Sequence, residues 1–125
     1  RMRILVTGSA GHLGEALMRS LATSPHEAIG LDIKASHFTR FVGSIADRDF
    51  VRRCMQGVQA VLHTATLHKP HIATHSRQDF VDTNITGTLN LLEEATAMRV
   101  GAFIFTSTTS AYRTSTSPRA TPAAA

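Results

Sequence analysis

The sequence predicts an α/β fold: a doubly wound parallel sheet with helices on both faces, strand order 3-2-1-4, breaking off after the fourth strand. Three observations predict it. Short, continuously apolar runs alternate with longer amphipathic segments, the pattern of strands buried on both faces and of helices that cover them. Three glycines, Gly8, Gly11 and Gly14, follow the first apolar run at equal spacing. An acidic residue, Asp32, closes the second run. Right-handed crossovers between parallel strands then give the order.

The elements follow in sequence. Arg3–Val6 is the first strand. The helix His12–Ala22 carries Leu13, Leu17 and Leu21 four residues apart, one helical face. Ser24-Pro25-His26 breaks the chain before the second strand, Glu27–Leu31. A loop with Phe38 and Phe41 leads to Gly43-Ser44-Ile45-Ala46. Asp47 is then an N-cap, with Phe50, Val51 and Cys54 facing inward and Gly57 ending the helix. Ala60–His63 is the third strand. A long helix spans Ser76–Met98, with a buried stripe of Val81, Ile85, Leu89 and Leu92 at helical spacing. The fourth strand is Ala102–Ser107. The domain thus covers residues 2–112. Residues 113–125 are rich in Ser, Thr, Pro and Ala and form a disordered tail or a broken-off continuation. A fourth strand left at the sheet edge is prone to pair with another chain.

The glycine spacing carries chemistry. A helix N-terminus has unpaired N–H groups and a partial positive charge, and a pyrophosphate settles there when no side chain blocks it. Gly8 makes the sharp turn out of the strand, Gly11 admits the phosphates, and Gly14 lets helix and strand pack closely. An acid about 20 residues on accepts hydrogen bonds from the hydroxyls of an adenosine ribose and repels a 2′-phosphate. Asp32 stands at that place, so the turn reads as a site for NAD rather than NADP. Lys34 is a solvated loop lysine.

Size and composition narrow the rest. The chain has 125 residues, one domain's worth, whereas a complete dinucleotide-dependent enzyme needs more for substrate binding and catalysis. Arg1, ahead of Met2, reads as an addition to the natural start. The formal charge is +4, but Arg1, Arg113 and Arg119 account for most of it. Arg48, Arg52 and Arg53 alternate with Asp47 and Asp49 on a solvated face. No basic stripe with aromatics suggests nucleic acid. No apolar run approaches the ~18 residues of a membrane span. The one cysteine, Cys54, excludes an intramolecular disulfide and suits the cytoplasm. His68, His71 and His75 cluster beside Pro70, but no Glu stands between the last two, and the expectation is no metal site. His63 is a strand-end histidine satisfied by hydrogen bonds.

Several motifs together resemble the N-terminal, cofactor-binding part of the extended short-chain dehydrogenases/reductases, the NAD-dependent epimerase/dehydratase family, whose fold is Rossmann-type. Thr7-Gly8-Ser9-Ala10-Gly11-His12-Leu13-Gly14 matches its T-G-x-x-G-x-x-G. Leu62-His63-Thr64-Ala65 resembles the segment under the adenine ribose. Asp82-Thr83-Asn84-Ile85-Thr86-Gly87-Thr88 resembles D-x-N-x-x-G-T, and Phe105-Thr106-Ser107-Thr108-Thr109-Ser110-Ala111-Tyr112 resembles F-x-S-[ST]-x-x-V-Y.

The resemblance implies roles. Gly8, Ala10, Gly11, His12, Leu13, Gly14, Asp32, Ser44, Ile45, Thr64, Ala65, Asn84 and Ser107 bind the cofactor. Thr108, at the family's catalytic Ser/Thr position, and Asn84, which organises the active site, belong to catalysis. Tyr112 is a packing residue. Two departures stand out. Gly43-Ser44-Ile45 replaces the family's Gly-Asp-[Ile/Leu/Val], whose aspartate contacts the adenine amino group. The family's Y-x-x-x-K is absent: the one tyrosine is Tyr112, and no lysine follows Lys69. The implied reaction is hydride transfer between a substrate alcohol or ketone carbon and nicotinamide, on a small molecule such as a nucleotide sugar. This chain alone is expected to bind NAD without turnover. A homodimer through the 76–98 helix is the implied partner arrangement. The alternative is a catalytically inactive Rossmann sensor or scaffold.

Overall fold

The strands are built from β-branched and large apolar residues that need cover on both sides, and the chain supplies it. The computed structural model describes residues 1–65 and 76–106. Within them run β1 (Arg3–Thr7), α1 (His12–Ala22), β2 (Glu27–Asp32), β3 (Phe41–Val42), α2 (Arg48–Cys54), β4 (Ala60–His63), α3 (Arg77–Phe80), α4 (Thr88–Ala97) and β5 (Ala102–Phe105). A π-helical turn, Val81–Gly87, joins α3 to α4. All pairings are parallel, in the order β3-β2-β1-β4-β5.

Side chains alternate across the sheet, and β1 shows the consequence. Leu5 joins Ile29, Leu31, Val61, Phe50, Val51, Met55 and Leu91 in the larger core, under α2 and α4. Ile4 and Val6 point the other way and pack with Met18, Leu17 and Leu21 of α1. The chain runs outward from β1 through β2 to β3, then crosses back to β4 beside β1. That reversal opens a crevice beyond the carboxyl ends of β1 and β4, where ligands of such sheets bind.

The order 3-2-1-4 holds, with different strands filling it. The third strand is Phe41–Val42, in the segment expected to be loop, and Ala60–His63 is the fourth, beside β1. Two residues are too few to show a period. Tertiary pairing makes them a strand: Leu31 faces Phe41, Asp32 faces Val42, and the Gly43 N–H donates to the Asp32 carbonyl at 2.9 Å.

The long helix starts where expected. Ser76 caps it, with Asp79 completing a reciprocal capping box. Its expected buried stripe is a correction: Val81, Ile85, Leu89 and Leu92 are exposed, Ile85 by 56% and Leu89 by 51%. The inward face is Gly87, Asn90, Leu91, Glu94 and Ala95. The reason lies in what this face meets. Gly87 sits against the Ile45 side chain with no room for a Cβ, and the polar residues find partners on Ile45 and Arg48. The segment is apolar on two sides, so periodicity alone picked the wrong one. Asp47 does cap α2, its Oδ1 accepting from the Phe50 N–H at 3.2 Å.

Candidate cofactor site

The glycine turn is shaped by close backbone contacts. Gly8 has φ +80°, the left-handed region that glycine tolerates best. A Cβ on it would lie 2.9 Å from the Ala65 nitrogen, and a Cβ on Gly14 would run into the Gly8 backbone. Gly11 differs: among the described residues its Cβ would meet only the Gly8 carbonyl oxygen, at 3.4 Å. Gly11 is also the N-cap of α1 and contributes no side-chain cap. Among the described residues no side chain caps the first-turn N–H groups of His12, Leu13 and Gly14, which leaves them for an anion.

Asp32 is fastened to this turn. Its Oδ2 accepts from the Ala10 N–H at 2.9 Å and its Oδ1 from the Lys34 N–H at 2.9 Å. A carboxylate has about four acceptor sites, so each oxygen retains capacity for a further donor. The bond from Ala10 joins the glycine turn to the end of β2. Next to Asp32 stands Ile33, 70% exposed. It was not singled out from the sequence.

A second network secures β4. Thr7 Oγ1 accepts from the N–H groups of Thr64 and Ala65 at 3.0 and 3.2 Å, and Thr64 Oγ1 donates to the Thr7 carbonyl at 2.6 Å. With both lone pairs engaged, the Thr7 hydroxyl donates to His63 Nδ1 at 2.6 Å. The network thereby assigns the proton of His63 to Nε2, which donates to Thr88 Oγ1 at 2.9 Å. Burial lowers the His63 pKa to about 4, so the ring is neutral. Phe105 stacks on it at 5.3 Å between centroids. His63 is thus satisfied by hydrogen bonds at its strand end, as the sequence suggested; Thr88 and Phe105 as its partners were not foreseen.

The remaining predicted residues lie around this frame. Ser44 Oγ accepts from the Ala46 N–H at 3.0 Å, a turn within its own loop. Ile45 is buried under α4. Thr64 and Ala65 are half-buried, beside Gly8. Asn84 is half-buried in the π-helical turn, one turn before Thr88; such turns recur at functional sites. Ser107, Thr108, Tyr112 and the cluster of His68, His71 and His75 lie outside the described residues. The described chain ends at Thr106, whose N–H and hydroxyl both reach the His63 carbonyl at 3.2 Å. Among the described residues no group of His, Cys, Asp and Glu could hold a metal ion, and no helix is long and apolar enough to cross a membrane.

The model of the NAD dependent epimerase/dehydratase family matches residues 4–124. The chain belongs to the NAD-dependent epimerase/dehydratase family. It is 31% identical to a UDP-glucose 4-epimerase of Erwinia amylovora, over 89% of this chain and 38% of that enzyme. It is also 31% identical to a 2-alkyl-3-oxoalkanoate reductase of Stenotrophomonas maltophilia, over 94% of this chain and 36% of that one. Among solved structures it resembles an Agrobacterium tumefaciens short-chain dehydrogenase/reductase superfamily protein with bound NAD (TM-score 0.75, 33% identity, 86% of this chain and 33% of that one). It also resembles the Thermotoga maritima UDP-glucose 4-epimerase with UDP-glucose (TM-score 0.76, 30% identity, 86% of this chain and 38% of that one). The chain therefore spans well under half the length of these relatives. NAD is the cofactor of the family. The residues present fit it: a helix start with no side-chain cap among the described residues, a close-packed glycine turn, and a fixed carboxylate with acceptor capacity to spare.

Proposed function

We propose that the chain is the NAD-binding portion of an epimerase/dehydratase-type oxidoreductase. The observation that carries this is the bond from the Ala10 N–H to Asp32, which sets a carboxylate beside the turn that receives the phosphates. His12 and Leu13 offer backbone N–H groups to the pyrophosphate. Asp32 accepts from the hydroxyls of the adenosine ribose, and its charge disfavours a 2′-phosphate. Ser44 and Ile45 border the adenine, Thr64 and Ala65 the ribose. Asn84 and Ser107 stand toward the nicotinamide, and the Thr108 hydroxyl hydrogen-bonds the reacting substrate oxygen, as the family resemblance implies.

When bound, the nicotinamide supplies hydride exchange with a substrate alcohol or ketone carbon. The UDP-glucose 4-epimerases among the relatives support a nucleotide sugar as substrate. The chain contains no Y-x-x-x-K, and its proposed activity by itself is cofactor binding. A cytoplasmic location is part of the same reading, supported by the lone Cys54, free and buried. So is a homodimer through the 76–98 helix, supported by the exposed row Val81, Ile85, Leu89 and Leu92.

Calorimetry of the chain with NAD⁺ and NADP⁺ tests the proposal. NAD⁺ is expected to bind and NADP⁺ to bind more weakly. Hydrogen bonds to a charged group contribute about 1.5–3 kcal/mol, so Asp32→Ala is expected to weaken NAD⁺ by about 10- to 100-fold. No binding of either dinucleotide at millimolar concentration would overturn the cofactor role, and a preference for NADP⁺ would overturn the role of Asp32.

A further inference from the structure

The inner face of α4 turns polar where it meets the loop leading into α2. Asn90 is 7% exposed and donates from Nδ2 to the Ile45 carbonyl at 2.9 Å. Gly87, three residues earlier, gives the Ile45 side chain the room it occupies. Glu94, four residues later and also buried, accepts from Arg48 Nε at 2.8 Å and lies 3.7 Å from Arg52 Nε. Residues 87, 90 and 94 share one side of the helix, so a single face of α4 holds residues 45–52.

A buried amide pays a desolvation cost that leucine at the same place would not. What it gains is direction. The Ile45–Ala46 peptide is planar, and both of its polar groups are engaged. Its carbonyl is held by Asn90 and its N–H by Ser44 Oγ at 3.0 Å. Fixing that plane fixes the Ser44 hydroxyl and the backbone that carries the Ile45 N–H.

We infer that Asn90 is a positioning residue for the adenine end of the cofactor site, acting through the Ile45–Ala46 peptide. The inference rests on the NAD-binding reading of the preceding subsection. Asn90 lies on α4, the continuation of the π-helical turn that carries Asn84. One helix thereby sets the distance between the adenine loop and the nicotinamide side.

The test uses two probes, AMP for the adenosine end and inorganic pyrophosphate for the glycine turn. Asn90→Leu keeps the size and removes the donor. It is expected to weaken AMP by about three- to tenfold, the worth of one hydrogen bond, and to leave pyrophosphate within about twofold. Asn90→Asp sets a carboxylate against the Ile45 carbonyl. Its AMP affinity relative to Asn90→Leu is expected to rise as pH falls from about 8 toward about 5, where a protonated carboxyl can donate. In the unaltered chain, the Asn90 side-chain amide resonances are expected to shift on titration with AMP and to stay in place with pyrophosphate, a readout that does not depend on either variant folding. AMP affinity unchanged in a folded Asn90→Leu, equal losses for both probes, or amide resonances that ignore AMP would each overturn the inference. Failure of the unaltered chain to bind AMP at all would instead overturn the NAD-binding reading beneath it.

Discussion

At the scale of single residues, His63 makes the sharpest prediction. Its partners in the fold are Thr7, Thr88, Phe103 and Phe105, none of them charged, and burial takes its pKa from 6.5 to about 4. The unfolded chain gains this proton near pH 6.5, the folded chain only near pH 4. Between those values the unfolded state holds more protons, so this contribution is full above the window and is lost as pH falls through it. The size is about 3 kcal/mol. Urea midpoints at neutral pH and near pH 4.5 are expected to differ accordingly, and His63→Gln is expected to flatten that slope. A slope unchanged in the variant would show that other groups carry it.

At the scale of elements, the three glycines separate folding from binding. Gly14→Ala drives a methyl group into the Gly8 backbone and is expected to cost about 3 kcal/mol. Among the described residues Gly11→Ala meets only the Gly8 carbonyl oxygen at 3.4 Å, at a backbone with φ −86° that alanine accepts. It is expected to keep its stability within about 0.5 kcal/mol while losing affinity for NAD⁺, because the methyl group occupies the phosphate approach. Thermal melts beside calorimetry check both. The glycine turn was legible in sequence because its spacing is local, as was the cap at Asp47; the capping box at Ser76 was not read there, although Ser76 was the expected start of its helix. The outward face of α4 was not legible. Leu89 and Leu92 follow the helical period as well as Leu91 does, and only Ile45 and Arg48, more than 40 residues away in sequence, decide which side is inside. The strand at Phe41–Val42 was hidden for the same reason: its partner, not its composition, makes it a strand.

At the scale of the whole molecule, the outward row Val81, Ile85, Leu89 and Leu92 predicts association. Leu89→Glu is expected to yield monomers in sedimentation while leaving NAD⁺ affinity unchanged, since Leu89 is exposed and is not among the residues assigned to the cofactor. A wild-type chain that sediments as a monomer throughout would remove the proposed dimer. Ile104 and Phe105 of β5, the edge strand of the sheet among the described residues, are also exposed. The hydrogen-bonded line from Thr7 through His63 to Thr88 crosses the molecule beneath these surfaces, from β1 through β4 into α4. Its Nε2 proton is shielded from solvent for as long as those three elements stay together. That one imidazole N–H is therefore a built-in clock. The time it takes to exchange with deuterium measures how often the cradle comes apart, and bound NAD⁺ should slow it.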